Sequence, residues 1–138
     1  MVFPQHQFLL LLQTLFMVKL QEVLLMEEKQ VKLVLRGEAG YPAKLLQIPN
    51  PPHLLFAWGN ADLDDACSIG VVGTRKATEY GMSATRKISR ELAQAGACIV
   101  SGLAMGIDAA AHRGALDSMG RTVAVLGGAL DKFYPAQN

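Results

Sequence analysis

The chain has 138 residues, room for one domain, and 51% of them are apolar, which excludes a disordered tail as its main content. Thirteen Lys and Arg against twelve Asp and Glu leave a formal charge of +1, so a polyanionic partner has to be held by a local basic site and not by bulk electrostatics. Cys67 and Cys98 each adjoin an apolar run, the pattern of reduced core thiols, so neither a disulfide nor a metal site is expected and the expected compartment is the cytoplasm.

The most apolar stretch comes first, FLLLLQTLFMVKLQEVLLM from Phe8 to Met26. Lys19, Glu22 and two glutamines interrupt it, no Lys or Arg precedes it, and no small-residue cleavage site follows, which disfavours a membrane span and a signal peptide alike. At helical period its leucines, with Phe16, Met17 and Val23, crowd most of the circumference, and Glu27, Glu28 and Lys29 begin a polar boundary. It reads as an apolar helix that packs on a partner surface. VKLVL, Val31 to Leu35, is readable as a strand or as a helix tail; Gly37 and Gly40 then break the pattern and Tyr41-Pro42 starts a new unit.

Three prolines in IPNPP, Ile48 to Pro52, force an extended connection, and HLLFAW, His53 to Trp58, reads as a strand stopped by Gly59-Asn60. Asp62 to Asp65 form an acidic loop. From Ser68 the pattern alternates: SIGVVG is an apolar run ending in glycine, and Tyr80 to Ala95 carries Met82, Ile88, Leu92 and Ala95 at helical spacing up to a stop at Gly96. ACIVSG is a second run, Ile107 to Ser118 an alanine-rich helix, and TVAVLGG from Thr122 a third run. Such alternation builds a parallel sheet with covering helices and strands buried on both faces. Right-handed crossovers bring the segments after Val72, Val100 and Leu126 to one edge, the edge at which open α/β sheets bind ligands.

Three loops meet there: GTRKATEYG (Gly73 to Gly81), SGLAMGID (Ser101 to Asp108) and GGALDKFYPAQN (Gly127 to Asn138). Small residues in them let a ligand approach the backbone, and the amides that open the next helix favour an anion such as phosphate. The first loop lacks the G-x-G-x-x-G spacing, so a dinucleotide cofactor is disfavoured and none is expected. It offers instead Arg75 and Lys76 beside the hydroxyls of Thr74 and Thr78, with Gly73 at the strand end. Arg75, a planar fork of donors, is the leading phosphate ligand.

In the second loop Gly102 and Gly106 bracket Ala104, and Asp108 falls at a helix start, where capping is its expected role. His112 lies one turn later on the same face, a packed or capping residue with no second ligand or nucleophile to pair with. Ser101 lacks the G-x-S-x-G elbow of a hydrolase, so it counts only as a phosphate contact. In the third loop Lys132 beside Phe133 and Tyr134 puts a cation next to aromatics, as a single-stranded nucleic acid requires.

In this order and at these distances, GTRKATEYG, VSGLAMGIDAAAH (Val100 to His112) and TVAVLGGALDKFYPAQN (Thr122 to Asn138) resemble the DNA-processing protein A family (DprA, also called Smf). YPAKLLQIPNPPHLLFAWGN, Tyr41 to Asn60, looks like that family's lead-in to the sheet. The resemblance implies a Rossmann-like parallel sheet with helices on both faces over residues 41–138; the apolar helix read from the periodicity makes residues 1–40 a preceding N-terminal helical segment. It implies a cytoplasmic protein that binds single-stranded DNA during natural transformation, protects it and assists RecA loading, commonly as a homodimer, with no membrane association and no catalysis. The family's basic pocket maps onto Arg75 in GTR, the serine and glycines of SGLAMGID, and the stretch from Lys132 through Tyr134 to Asn138.

Family members often carry Lys or Arg where this chain has Met105, which predicts one phosphate contact fewer and a smaller salt slope. The sheet is expected to stop after its third core strand, leaving the dimer surface in the missing part, and the apolar N-terminal helix matches the family poorly. Two other readings compete with this one. One is a phosphoribohydrolase of the lysine-decarboxylase-like group, whose P-G-G-x-G-T-x-x-E segment GGALDKFYP does not reproduce. The other is an inactive truncated product, because half a sheet exposes a strand edge and apolar faces.

Overall fold

The structure, a computed structural model, describes residues 31–59 and 67–127. The apolar helix expected over Phe8 to Met26, the acidic loop at Asp62 to Asp65 and the candidate residues Lys132, Tyr134 and Asn138 lie outside the described residues.

VKLVL is a strand. β1 (Val31–Leu35) pairs antiparallel with β2 (Leu54–Trp58), placing Val31 opposite Trp58, Leu33 opposite Phe56 and Leu35 opposite Leu54. Directly opposed residues share a face, so those six apolar side chains form one side of a two-stranded ribbon. The connection between the strands turns at Gly37 and Gly40, both with positive φ, and passes through a short 3-10 turn, Ala43–Gln47, before the prolines extend it. Tyr41 anchors it: the ring is buried and its hydroxyl donates to the Pro52 carbonyl at 2.7 Å.

The second part is the expected alternation. β3 (Ser68–Gly70), β4 (Cys98–Ser101) and β5 (Thr122–Ala124) form a parallel sheet in that order, with α1 (Glu79–Gln94) and α2 (Ile107–Asp117) as the crossovers. Local chemistry fixes the helix ends. The Thr78 hydroxyl accepts the Gly81 amide at 3.1 Å and caps α1, while Gly96, at φ 95°, closes it: the Gly96 amide donates to the Ala93 carbonyl and the following Ala97 amide to the Leu92 carbonyl. The same motif ends α2, with Met119 in the left-handed position at φ 55°.

Both crossovers step the same way across the sheet, so α1 and α2 lie side by side on one face. The core between them and the sheet is small and tight: Ile99, Ala111, Ala115 and Ala93, flanked by Val71 and Leu92. Gly114 lets the helices touch, since a Cβ there would sit 2.3 Å from the Arg86 carbonyl oxygen. Ser101 and Thr122 stitch the strands laterally, their hydroxyls donating to the carbonyls of Val71 at 2.6 Å and Ile99 at 2.8 Å.

The strand face turned away from α1 and α2 is covered only in part among the described residues: Cys98 is 2% exposed. The face carrying Val72, Val100, Val123 and Val125 has no helix over it there, and Val72 is 79% and Val125 61% exposed. Helices on that second face would have to come from outside the described residues.

Candidate nucleic-acid interface

The loops that leave β3 and β4 meet at the carboxyl edge of the sheet, and Asp108 holds them together. This carboxylate is buried; Oδ1 accepts the Gly73 amide at 3.3 Å and Oδ2 accepts the Gly102 amide at 3.2 Å. The amides it satisfies belong to the two loops and not to the helix start where capping was expected; the N-cap of α2 is Gly106, with no side-chain cap. The first amide of α2, from Ile107, donates instead to the Thr74 carbonyl at 3.2 Å.

The glycines were expected to make room for a ligand, and in the structure three of them make room for protein. A Cβ on Gly106 would lie 2.4 Å from the Thr74 carbonyl oxygen and 2.9 Å from that of Arg75. One on Gly73 would meet the Ile107 side chain at 2.7 Å, and one on Gly102 the Asp108 carboxylate at 2.9 Å. The β3 loop is therefore seated on the start of α2, and the two loops form one rigid unit. Ser101, expected as a phosphate contact, is turned inward: it is 3% exposed and its hydroxyl proton is spent on Val71, leaving no side-chain donor for a ligand.

Outward from this unit stand Thr74, Arg75 and Lys76, all exposed. Thr74 Oγ1 accepts the Lys76 amide at 3.1 Å, a local turn that leaves its own O–H free to donate. Neither the Arg75 guanidinium nor the Lys76 ammonium forms an ion pair among the described residues. Thr78 is taken by its capping role. Met105 is 42% exposed on the neighbouring loop, where it presents no charge, and Leu103 beside it is held at φ 59°.

His112 packs beneath the site. Its Nδ1 lies 2.7 Å from the Thr122 hydroxyl, and its Nε2 is buried with no hydrogen-bond partner among the described residues. Burial holds its pKa below the ordinary imidazole value, with the Asp108 charge and the Ser101 carbonyl pulling the other way. Sequence reasoning missed two supporting residues, Ile107 and Thr122. Ile107 reads as an ordinary first residue of an amphipathic helix, and Thr122 as the opening of a strand; only the tertiary pairing gives them their roles. Among the described residues no group of His, Cys, Asp and Glu could hold a metal ion, and no helix is long and apolar enough to cross a membrane.

Residues 32–138 match the family model described as DNA recombination-mediator protein A. Protein Smf of Synechocystis sp. is 44% identical over 116 residues, covering 81% of this chain and 29% of that protein. DNA processing protein A (DprA) of Streptococcus pneumoniae superposes with a TM-score of 0.72 at 39% identity, over 85% of this chain and 41% of that one. DNA processing protein A of Helicobacter pylori, solved for its single-stranded DNA binding mode, gives 0.68 at 32% identity, over 78% of this chain and 47% of that one. The chain thus spans less than half the length of each of these relatives. With the loops, the sheet order and these matches in agreement, the chain belongs to the DNA recombination-mediator protein A family.

Proposed function

We propose that the carboxyl edge of the sheet binds the phosphate backbone of single-stranded DNA, with Arg75 as the principal ligand, Lys76 and the Thr74 hydroxyl beside it, and Lys132, Tyr134 and Asn138 completing the site. The observation that carries the reading is the exposed Arg75–Lys76 pair, in no ion pair among the described residues, on a loop locked to the start of α2 by Gly106 and Asp108. A preorganised cation loses little freedom when it captures a phosphate, so its charge-assisted bonds convert efficiently into affinity. The single-stranded DNA binding mode of the Helicobacter pylori relative supports the choice of ligand. In the cell the reading extends to DNA processing during transformation, protection of the incoming strand and assistance to RecA, with no covalent step by the protein itself.

Fluorescence anisotropy of a labelled oligo-dT, with a duplex control and a salt series, tests it. Single strands are expected to bind in preference to duplex, and Arg75→Ala to weaken binding about tenfold or more while lowering the salt slope by about 0.7. Absence of binding by a chain that melts cooperatively would overturn the reading, and release of free base from a nucleoside monophosphate would replace it with the hydrolase.

A further inference from the structure

The outward sides of α1 and α2 leave a groove between them with room for about 690 Å³, and nothing in the loop site uses it. Its walls carry four cations, Arg86, Lys87 and Arg90 from α1 and Arg113 from α2, against two carboxylates, Glu79 and Asp117. In a chain of net charge +1 this is a local concentration of positive charge. On α1 Arg90 follows Lys87 by three residues and Arg86 by four, spacings at which like charges disfavour the helix, so folding alone does not call for the cluster. Asp117 neutralises Arg86 through a two-pronged pair, the second bond at 2.9 Å, which ties the helices together at that end. Lys87, Arg90 and Arg113 are exposed and form no ion pair among the described residues.

The groove is continuous with the Arg75 loop. Met105 and Gly106 form part of its wall, and Gly106 is the residue on which the Arg75 carbonyl rests. Both helices start at the carboxyl edge of the sheet, so the groove runs away from that edge for roughly 16 Å, the rise from Glu79 to Arg90 at ~1.5 Å per residue. Its floor includes Ala109, Ala110 and Met82, small or unbranched side chains that let a backbone lie close, and none of its lining residues is aromatic. Glu79 stands at the mouth, in the first turn of α1 where a carboxylate suits the helix dipole; the cations follow farther down. A surface with phosphate partners and no base platform suits a strand already captured elsewhere, tracked without regard to sequence.

We propose that this groove carries the backbone of the single strand onward from the Arg75 loop, with Lys87, Arg90 and Arg113 as its phosphate contacts. The proposal rests on the reading of that loop as a single-strand site. The test compares a short oligo-dT of roughly 4 nucleotides with a long one of roughly 16, the limits of site size seen in compact single-strand binders. Each is titrated against the whole chain, its Arg75→Ala variant and a Lys87→Ala/Arg90→Ala/Arg113→Ala variant, with the Arg86–Asp117 pair left intact and melting curves as the folding control.

The triple variant is expected to bind the long strand at least tenfold more weakly, with a salt slope smaller by about 2, and to bind the short strand as the parent does. Equal long-strand binding by triple variant and parent overturns the groove and leaves the loop standing. Loss on the long strand in the triple variant, with no effect of Arg75→Ala on either strand, removes the loop reading while the groove remains as the binding surface. If the triple variant loses affinity for a poly-glutamate peptide and none for DNA, the groove is a docking site for an acidic protein segment and the proposal falls.

Discussion

Thr122 has one hydroxyl proton, and it goes to the Ile99 carbonyl 2.8 Å away, so the 2.7 Å contact with His112 is a bond donated by the Nδ1–H of the ring. The neutral imidazole therefore fits, with its bare Nε2 buried. Protonation would place a second N–H at that buried position, and burial accordingly lowers the pKa below 6.5. The sign follows: the unfolded chain takes up the proton first, so the stability that neutral His112 contributes is complete above 6.5 and is lost as pH falls through the lower folded value. Thermal melts taken between about pH 8 and pH 5 are expected to show falling midpoints on the acid side, and His112→Gln to flatten that limb. Ser89 is a second buried polar group, wholly enclosed where α1 meets α2, with its Oγ unpartnered among the described residues. Ser89→Ala removes that hydroxyl and raises helix propensity, and urea unfolding is expected to show about 1 kcal/mol of added stability.

At the scale of elements, the junction between the β3 loop and α2 depends on a residue without a side chain. Gly106→Ala would place a methyl group against the Thr74 and Arg75 carbonyls at a positive φ. Strain and overpacking together are expected to cost about 2–4 kcal/mol in denaturant unfolding, and the displaced Arg75 to weaken oligo-dT binding beyond what the lower stability explains. This junction also marks where sequence reading stops. The helices were legible to within a residue at most ends because Thr78 and Gly96 signal locally. The partner of β1 was not legible, since its pairing with Leu54–Trp58 spans a long connection and short apolar runs carry no address. Asp108 reads locally as a helix cap, yet its donors include Gly73, 35 residues upstream, and no local pattern records that bond. For the same reason the glycines of the loops pointed to close approach without saying that the approaching body was the other loop.

Taken whole, the described residues present two apolar surfaces. One is the valine face of the parallel sheet, and the other is the ribbon face that carries Leu33, Leu35, Leu54, Phe56 and Trp58, each between 40% and 54% exposed. Surfaces of this kind are sites of association. The ribbon face has an optical consequence, because Trp58 is the only tryptophan in the sequence. An indole 54% exposed is a dipole in relaxing water, so the native chain is expected to emit at long wavelength and to be quenched readily by acrylamide. A second copy, another segment or a partner settling on the ribbon would move the emission to shorter wavelength and shield it from the quencher. Ordinary protein fluorescence therefore reports on the covering of that one face, without a label and without a mutation.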